Sequence, residues 1–155
     1  EITQHVTIPV LRKDFTIDPY MIYQARTLGA SAILLICSLL SQSELEEYQA
    51  MATELGMSAL VEAHDEREVE MALRAEASII GVNNRNLKTF TVDINNSARY
   101  RKMVPKEVAF VSESGIKTAE DIAKLLENGT DAVLIGETLM RSENKKQALD
   151  ELRGI

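Results

Sequence analysis

The sequence predicts an α/β fold in which buried parallel strands alternate with helices. Six short runs rich in Ile, Val and Leu recur along the chain, and their lack of a polar–apolar alternation is typical of strands buried on both faces. About 20–30 residues lie between the starts of successive runs, which is room for a crossover helix each time. The runs are residues 6–11, 32–37, 59–63, 78–82, 108–111 and 132–135.

The segments between these runs carry the signals of helices. Ser43 and Glu44 form a Ser/Glu arrangement close to a capping box, and Leu45 begins the apolar face that follows them. Asp65 stands at the start of a second helix, and Thr118 is the predicted N-cap of a third. Each helix would connect one buried run to the next.

A glycine stands just before three of the predicted strands, at the point where a helix would end. These glycines are Gly29, Gly56 and Gly129. The chain therefore contains a weak repeat of strand, helix, glycine and strand, and no Gly/Ser linker divides it. This pattern predicts a single domain, residues 1–155, built from about six β-α units.

Two architectures have this alternation, an open doubly wound sheet and a (β/α)8 barrel of the TIM type. The doubly wound sheet normally has a glycine-rich turn after its first strand, but the residues at that point are Arg-Lys-Asp-Phe (12–15). Polar residues instead follow many of the strands, as in barrel enzymes, whose active sites lie at the carboxyl ends of the strands. The barrel is therefore the favoured architecture.

Composition excludes several classes of function. Among 155 residues there are 17 Lys and Arg and 24 Asp and Glu, and the net charge of −7 without a basic tail argues against a nucleic-acid partner. No apolar run approaches the ~20 residues of a membrane span, and the first residues lack the pattern of a signal peptide. The single cysteine, Cys37, fits a core thiol in a reducing cytoplasm. No His/Cys/Asp cluster has metal-binding spacing, so neither a metal nor another cofactor is predicted.

The polar residues at the strand ends point to one site. Period-two parity places Lys13, Glu62, Asn83 and Glu113 on the same face as apolar strand residues, so they would converge at the mouth of a barrel. A lysine that faces carboxylates in a partly dry mouth can perform acid–base chemistry. Lys13 alone is equally consistent with a salt bridge at the rim, whereas Glu62 interrupts an apolar strand and needs a partner. His64 is predicted to be a loop or capping residue.

The last two predicted strands are followed by glycine-containing turns. These turns contain Ser114 and Gly115 in one case and Gly136 in the other. In barrels, loops at this place often bind phosphate through backbone N–H groups and a helix N-terminus. Lys13 or Arg85 would attract the phosphate more strongly than the distant acidic surface repels it.

Five segments of the chain, in order, resemble the indole-3-glycerol phosphate synthase family. Together they extend over nearly the whole chain, and as a set they are highly specific. They are Pro-Val-Leu-Arg-Lys-Asp-Phe (9–15), Leu-Val-Glu-Ala-His (60–64), Ile-Gly-Val-Asn-Asn-Arg-Asn-Leu (80–87), Val-Ser-Glu-Ser-Gly-Ile (111–116) and Leu-Ile-Gly-Glu-Thr-Leu-Met (134–140).

The resemblance implies a TIM-barrel carboxy-lyase of tryptophan biosynthesis with a phosphosugar substrate. The family closes the indole ring of 1-(2-carboxyphenylamino)-1-deoxyribulose 5-phosphate with loss of CO2 and water. At the matching positions, Lys13 would be the general acid, Glu62 would handle protons in the dehydration, and Asn83 would orient the intermediate. Further expected substrate-binding residues are Arg85 and Glu113 in a charged network, Phe15 in the anthranilate pocket, and Ser114, Gly115 and Gly136 at the phosphate. Glu137 stands where some relatives have a serine, so its backbone, and not its side chain, is expected to contact the phosphate.

The first predicted strand resembles the third strand of the family. We therefore expect a partial barrel that lacks the N-terminal extension and the first two β-α units, with exposed strand edges that favour self-association or complementation. Such a chain alone would have weak activity or none. The alternatives are a non-catalytic, self-associating or engineered barrel fragment, and the related isomerase of the same pathway, which the Arg-Lys-Asp-Phe and Glu-x-His-Asp segments disfavour.

Overall fold

The fold was analysed in a computed structural model that describes residues 1–86 and 89–155. Leu87, the last residue of one motif quoted above, lies outside these ranges. A sheet of six strands runs through the described chain. The strands are β1 (Leu11–Arg12), β2 (Ala32–Ile36), β3 (Ser58–Ala63), β4 (Ile79–Asn83), β5 (Ala109–Glu113) and β6 (Ala132–Leu134).

Each strand pairs in parallel with the next strand along the chain, so the spatial order is the same as the sequence order. A doubly wound sheet would reverse its order at a switch point, whereas a barrel wall does not. The structure therefore confirms the predicted partial TIM barrel. Helices and short 3-10 turns connect the strands: α1 (Pro19–Thr27), α2 (Gln42–Glu54), α3 (Glu66–Arg74), α4 (Asn95–Arg101), α5 (Ala119–Glu127), α6 (Glu137–Arg141), α7 (Lys145–Leu152), and the turns Ile2–Gln4 and Cys37–Leu39.

The two faces of the sheet bury different sets of side chains. Outward-pointing residues such as Ile33, Val61 and Phe110 pack with the apolar sides of α1 to α4 in the larger core. Inward-pointing residues, including Leu34 and Leu60, form a smaller cluster inside the curve of the sheet. Each fully buried aliphatic or aromatic side chain stabilises the fold by about 1.5–3 kcal/mol. None of the helices in the described ranges is long and apolar enough to cross a membrane.

The first strand is much shorter than the run that predicted it. Only Leu11 and Arg12 pair with β2, while Val6 and Ile8 are exposed. Pro9 has no N–H to give to a neighbouring strand, and Val10 contributes one carbonyl that accepts from Ser31 N at 2.8 Å. The prediction of a strand over residues 6–11 is therefore wrong for most of its length. The other predicted strands lie within two residues of the observed bounds at each end.

The helix boundaries follow local capping chemistry. Asp65 and Thr118 are the N-caps of α3 and α5, as predicted. The capping box of α2, however, is formed by Ser41: its Oγ accepts from Glu44 N at 3.3 Å, and Glu44 Oε2 accepts from Ser41 N at 2.7 Å. Ser43 lies inside the helix, so its predicted role is corrected. All three glycines at the predicted helix ends have a positive φ: Gly29, Gly56 and Gly129.

We expect Ser41→Ala to lower the free energy of unfolding by about 1 kcal/mol, because the backbone N–H of Glu44 loses the Ser41 hydroxyl that accepts its hydrogen bond. Ser43→Ala is the matched control, since it removes the same hydroxyl from a residue within the helix. Urea unfolding followed by circular dichroism compares the two variants. Equal losses in both would contradict the cap assigned to Ser41.

Candidate active site

The candidate site lies at the carboxyl ends of the strands on the inner face of the sheet. Glu62 pairs with Gly81 across β3 and β4, and Asn83 pairs with Glu113 across β4 and β5. Asn83 Nδ2 donates to Glu62 Oε1 at 3.0 Å. Lys13 follows β1 directly and lines the same cavity as Glu113. The structure thus brings together the four residues that strand parity placed on one face.

This cavity has a volume of about 1050 Å³. Its walls include six of the residues singled out in the sequence: Lys13, Arg85, Glu113, Ser114, Gly115 and Gly136. Phe15 does not line it, because its side chain is 63% exposed on the segment that follows β1. The described residues contain no cluster of three or more His, Cys, Asp or Glu side chains that could hold a metal ion.

Two buried carboxyl groups interact at the site: Glu113 lines the cavity, whereas Glu62 is not among the lining residues. Glu62 is 3% exposed and Glu113 is 1% exposed. In the described part of the chain, Glu62 Oε2 and both carboxyl oxygens of Glu113 have no hydrogen-bond partner. Two ionised carboxylates in one dry site repel each other, so a proton on one of them is favoured. A proton on Glu113 would also supply a donor for these oxygens.

The surroundings of the two carboxyl groups differ, and their pKa values move in opposite directions. Burial and then the charge of Glu62 raise the pKa of Glu113 well above its usual range, although the charges of Lys13 and His64 oppose the shift. Burial also acts to raise the pKa of Glu62, but its contacts with His64, Asn83 and Glu113 outweigh burial and lower it. Near neutral pH, Glu62 is therefore the ionised member and Glu113 the protonated one.

His64, predicted to be only a loop or capping residue, contacts Glu62 directly. Its Nε2 lies 3.1 Å from Glu62 Oε1 as an ion-pair contact, outside hydrogen-bond geometry, and its Nδ1 lies 3.0 Å from Glu68 Oε2. Burial alone would lower the pKa of His64, but its contacts with the two carboxylates outweigh burial and raise it to about 9. The Glu-x-His-x-x-x-Glu spacing at the end of a strand was the signal for this arrangement.

Gly81 leaves the space that the Glu113 carboxyl group occupies. A Cβ atom at position 81 would overlap Glu113 Oε1 and would also press on Leu60 Cδ1 at 3.1 Å. The backbone conformation does not require glycine here, since Gly81 has no positive φ. The absence of a side chain at this inward-facing position therefore lets the carboxyl group of Glu113 lie over β4, between β3 and β5.

A buried polar network holds the turn after β5. Asn84 Nδ2 donates to Ser112 Oγ at 3.0 Å and to the carbonyl of Ser114 at 3.1 Å. Ser97 Oγ, at the start of α4, donates to Asn84 Oδ1 at 2.9 Å. Ser114 and Gly115 both adopt a positive φ, a conformation that costs energy for a serine. This network holds the turn in position at the cavity. No pattern in the sequence indicated it.

Arg85 makes its ion pair with Glu137 and not with Glu113. Its Nη2 donates to Glu137 Oε2 at 2.6 Å, and Arg141 Nε donates to the other oxygen, Oε1, at 3.0 Å. Hydrogen bonding from Arg85 and the charge of Arg141 lower the pKa of the Glu137 carboxyl group. Arg85, which the sequence predicted to form a charged network with Glu113, therefore has its charge neutralised by Glu137, another residue of the cavity wall.

Comparison with known proteins identifies the family of the chain. The sequence model of indole-3-glycerol phosphate synthase matches residues 1–152. The chain belongs to the indole-3-glycerol phosphate synthase family. It is 59% identical over 154 residues to the enzyme named so from Ruminiclostridium cellulolyticum, covering 99% of this chain and 59% of that protein. It is 55% identical over 146 residues to that of Leuconostoc mesenteroides, covering 94% and 56%.

The chain therefore spans less than two thirds of the length of these family members. Solved structures support the barrel fold at low sequence identity. A 3-hexulose-6-phosphate synthase from Salmonella typhimurium matches with a TM-score of 0.82 and 13% identity over 97% of this chain and 74% of its own. A mutant tryptophan synthase alpha-subunit from Pyrococcus furiosus matches with a TM-score of 0.76 and 16% identity over 98% and 69%.

We expect Gly81→Ala to lower the free energy of unfolding by about 1–3 kcal/mol, because the added methyl group overlaps the buried carboxyl group of Glu113. In an open strand position the same change would be slightly stabilising. The loss should become smaller in an E113A background, where the overlapping atom is absent. Thermal unfolding of the four chains of this double-mutant cycle measures the coupling.

Gly136→Ala is the control for this prediction, since nothing lies within 4 Å of a Cβ atom at that position. Its unfolding free energy should stay within about 0.5 kcal/mol of the original. Additive effects of G81A and E113A would show that the space above Gly81 is not what places Glu113.

Proposed function

We propose that this chain supplies most of the active site of an indole-3-glycerol phosphate synthase, which converts 1-(2-carboxyphenylamino)-1-deoxyribulose 5-phosphate to indole-3-glycerol phosphate in tryptophan biosynthesis. The observation that carries the proposal is the mouth of the half-barrel, where Lys13 lies beside the buried pair of Glu62 and Glu113 in a chain of this family. We further propose that residues 1–155 form one domain.

Lys13 is the general acid of the first step. The ring carbon that carries the carboxylate attacks the ribulose carbonyl carbon and forms the new C–C bond, while the carbonyl oxygen takes a proton from the Lys13 ammonium group. The bond to the carboxylate then breaks, CO2 leaves, and its electron pair restores the aromatic ring. Lys13 is suited to this role because its amine is exposed at the cavity and faces an acidic floor.

Glu62 acts in the dehydration that follows. The new hydroxyl group takes a proton that comes from solvent and leaves as water, and the ionised Glu62 takes a proton from the adjacent carbon so that the C–C double bond of the indole forms. The whole sequence consumes one proton, which balances the negative charge lost with the carboxylate. Asn83 holds Glu62 Oε1 through its amide and is placed to orient the intermediate.

The two ends of the substrate have separate contacts in this proposal. Ser114, Gly115 and Gly136 line the cavity close to where α5 and α6 begin, and in this proposal their backbone N–H groups bind the phosphate. Arg85 and Glu113 contribute to the polar surroundings of the sugar, with Arg85 held by Glu137. Phe15, exposed at the rim, closes over the anthranilate ring when substrate is present.

A second candidate function is a non-catalytic, self-associating barrel fragment. The observation that favours it is the exposure at the first edge of the sheet, where β1 pairs through two residues only and the apolar side chains of Ile8 and Ile17 are exposed. An open edge with apolar surface beside it favours pairing with another chain. On this view, turnover by the chain alone is weak or absent.

We expect Lys13→Ala and Glu62→Gln each to lower kcat by about 100- to 10,000-fold with a much smaller change in KM, because each removes a proton-transfer group. Formation of indole-3-glycerol phosphate is followed by its fluorescence, with the chain alone and with the N-terminal part of a relative added. Lys106→Ala and Glu54→Gln are matched controls, since both side chains are exposed and lie outside the cavity. An unchanged kcat in either site variant would refute the role assigned to that residue.

We also expect the purified chain to be larger in solution than its 17.2 kDa monomer, since the exposed edges of the sheet favour pairing between copies. Light scattering and sedimentation over a range of concentrations measure the mass. Addition of the complementary N-terminal part should shift the population toward a one-to-one complex. A monodisperse 17.2 kDa species with a single cooperative thermal transition would contradict this expectation.

A further inference from the structure

We propose that His64, oriented by Glu68, is a positioning residue that decides which of the two buried carboxyl groups carries the proton: it keeps Glu62 ionised and leaves the proton on Glu113. The inference rests on the proposed function, in which Glu62 acts as a base. It concerns His64, which directly follows β3, and Glu68 in α3, neither of which lines the cavity.

Glu68 holds His64 at two points. Its Oε2 accepts from the backbone N–H of His64 at 2.8 Å and lies 3.0 Å from the ring Nδ1. Glu68 is itself fixed in the first turn of α3, where its backbone N donates to the N-cap oxygen Asp65 Oδ1 at 2.9 Å. The ring is therefore held from the helix side, and its other nitrogen is directed toward Glu62.

The hydrogen-bonding pattern favours a doubly protonated ring. With Nδ1 donating to Glu68, a neutral ring would place the unprotonated Nε2 3.1 Å from Glu62 Oε1, so two atoms of negative partial charge would lie close together. A proton on Nε2 replaces that repulsion with an attraction between opposite charges. The side chain of His64 is only 14% exposed, so water screens this attraction weakly.

The contacts also distinguish the two oxygens of Glu62. Oε1 accepts from Asn83 Nδ2 at 3.0 Å and faces the His64 ring, whereas Oε2 is buried and has no partner in the described residues. The negative charge of Glu62 is thus stabilised at one oxygen, and the other remains available. We assign Oε2 as the oxygen that accepts the proton during dehydration.

The charges around His64 come from several elements of the fold. His64 interacts with Glu62 on β3, Glu68 in the first turn of α3 and Glu113 on β5. Further groups act on these glutamates: Cys37, in the turn after β2, interacts with Glu62 and Glu68, and Lys13, after β1, interacts with Glu113. Asp65 follows His64 along the chain and also interacts with Cys37. Burial and then the charge of Glu68 raise the pKa of Cys37 to about 12, so this thiol stays neutral. The remaining groups are mostly acidic, which favours a cationic ring.

If His64 had only a structural role, its contact with Glu62 would not be needed. The backbone N–H of His64 and its Nδ1 are sufficient to tie the loop to α3, and neither of them requires the Nε2 contact with Glu62. The structural role and the positioning role therefore differ in a measurable way: only the second links the charge of the imidazole to the charge of Glu62.

The first test is an NMR titration of the imidazole in the 155-residue chain without substrate. The chain has two histidines, and His64→Gln identifies the His64 signal by its loss. We expect a midpoint near 9, well above the ~6.5 of a free imidazole. Glu62→Gln and Glu68→Gln should each lower this midpoint. Glu66→Gln, which removes an exposed carboxylate from the same helical turn, should leave it unchanged.

The second test is the pH profile of kcat, measured with the chain complemented as above. H64Q removes the cation and lets the pKa of Glu62 rise, so the acid limb should move upward by about one to three pH units in this variant. E68Q still has a protonated imidazole at these pH values, so its acid limb should move much less. KM should change little in these variants, and E66Q should keep the original profile. A structural defect would instead lower kcat equally at every pH.

The outcomes separate this inference from the proposed function. A His64 midpoint at or below 6.5, or one that E68Q leaves unchanged in a chain that keeps its native circular dichroism spectrum, overturns the inference whatever the activity is. The expected titrations together with no formation of indole-3-glycerol phosphate contradict the proposed function and leave the electrostatic arrangement of His64 supported.

Discussion

Burial of Glu62 and Glu113 in one dry site is the constraint to which the surrounding residues respond. A carboxyl group loses its hydration on burial, and a second carboxylate nearby repels it. Both groups can therefore stay buried only if the surroundings stabilise the charge of one and favour the protonated form of the other. Asn83 and His64 contact Glu62, whereas neither oxygen of Glu113 has a hydrogen-bond partner among residues 1–86 and 89–155. Gly81, by having no side chain, leaves the space that Glu113 occupies. The residues around the pair thus give the two carboxyl groups different surroundings, which lower the pKa of Glu62 and raise that of Glu113.

The features that follow from backbone periodicity could be predicted from the sequence. Alternation along a strand is a property of extended backbone, so the common face of Glu62, Asn83 and Glu113 follows once the strands are recognised. The glycines at the helix ends follow in the same way, because a positive φ strongly favours glycine. The length of the apolar run was less informative at the first strand, where Pro9 has no N–H to donate and only two residues pair with β2.

Features that depend on side-chain reach could not be predicted in this way. The contact of His64 with Glu62 requires the ring to turn back toward the strand end, and the pairing of Arg85 with Glu137 joins residues 52 positions apart. The network of Asn84, Ser97 and Ser112 also depends on α4 folding over the end of β4. Rotamers and tertiary packing decide such contacts, and neither has a periodic signature in the sequence.

The ion pair of Arg85 has a consequence for how an anion enters the cavity. The guanidinium group already has a counter-ion in Glu137, so an arriving phosphate or carboxylate must exchange with that counter-ion to reach it. Arg141, which contacts the other oxygen of Glu137, can keep the displaced carboxylate neutralised during the exchange. Because one anion replaces another, the net Coulombic gain at Arg85 is small. Selection among anions at this wall then depends on shape and on backbone donors more than on charge.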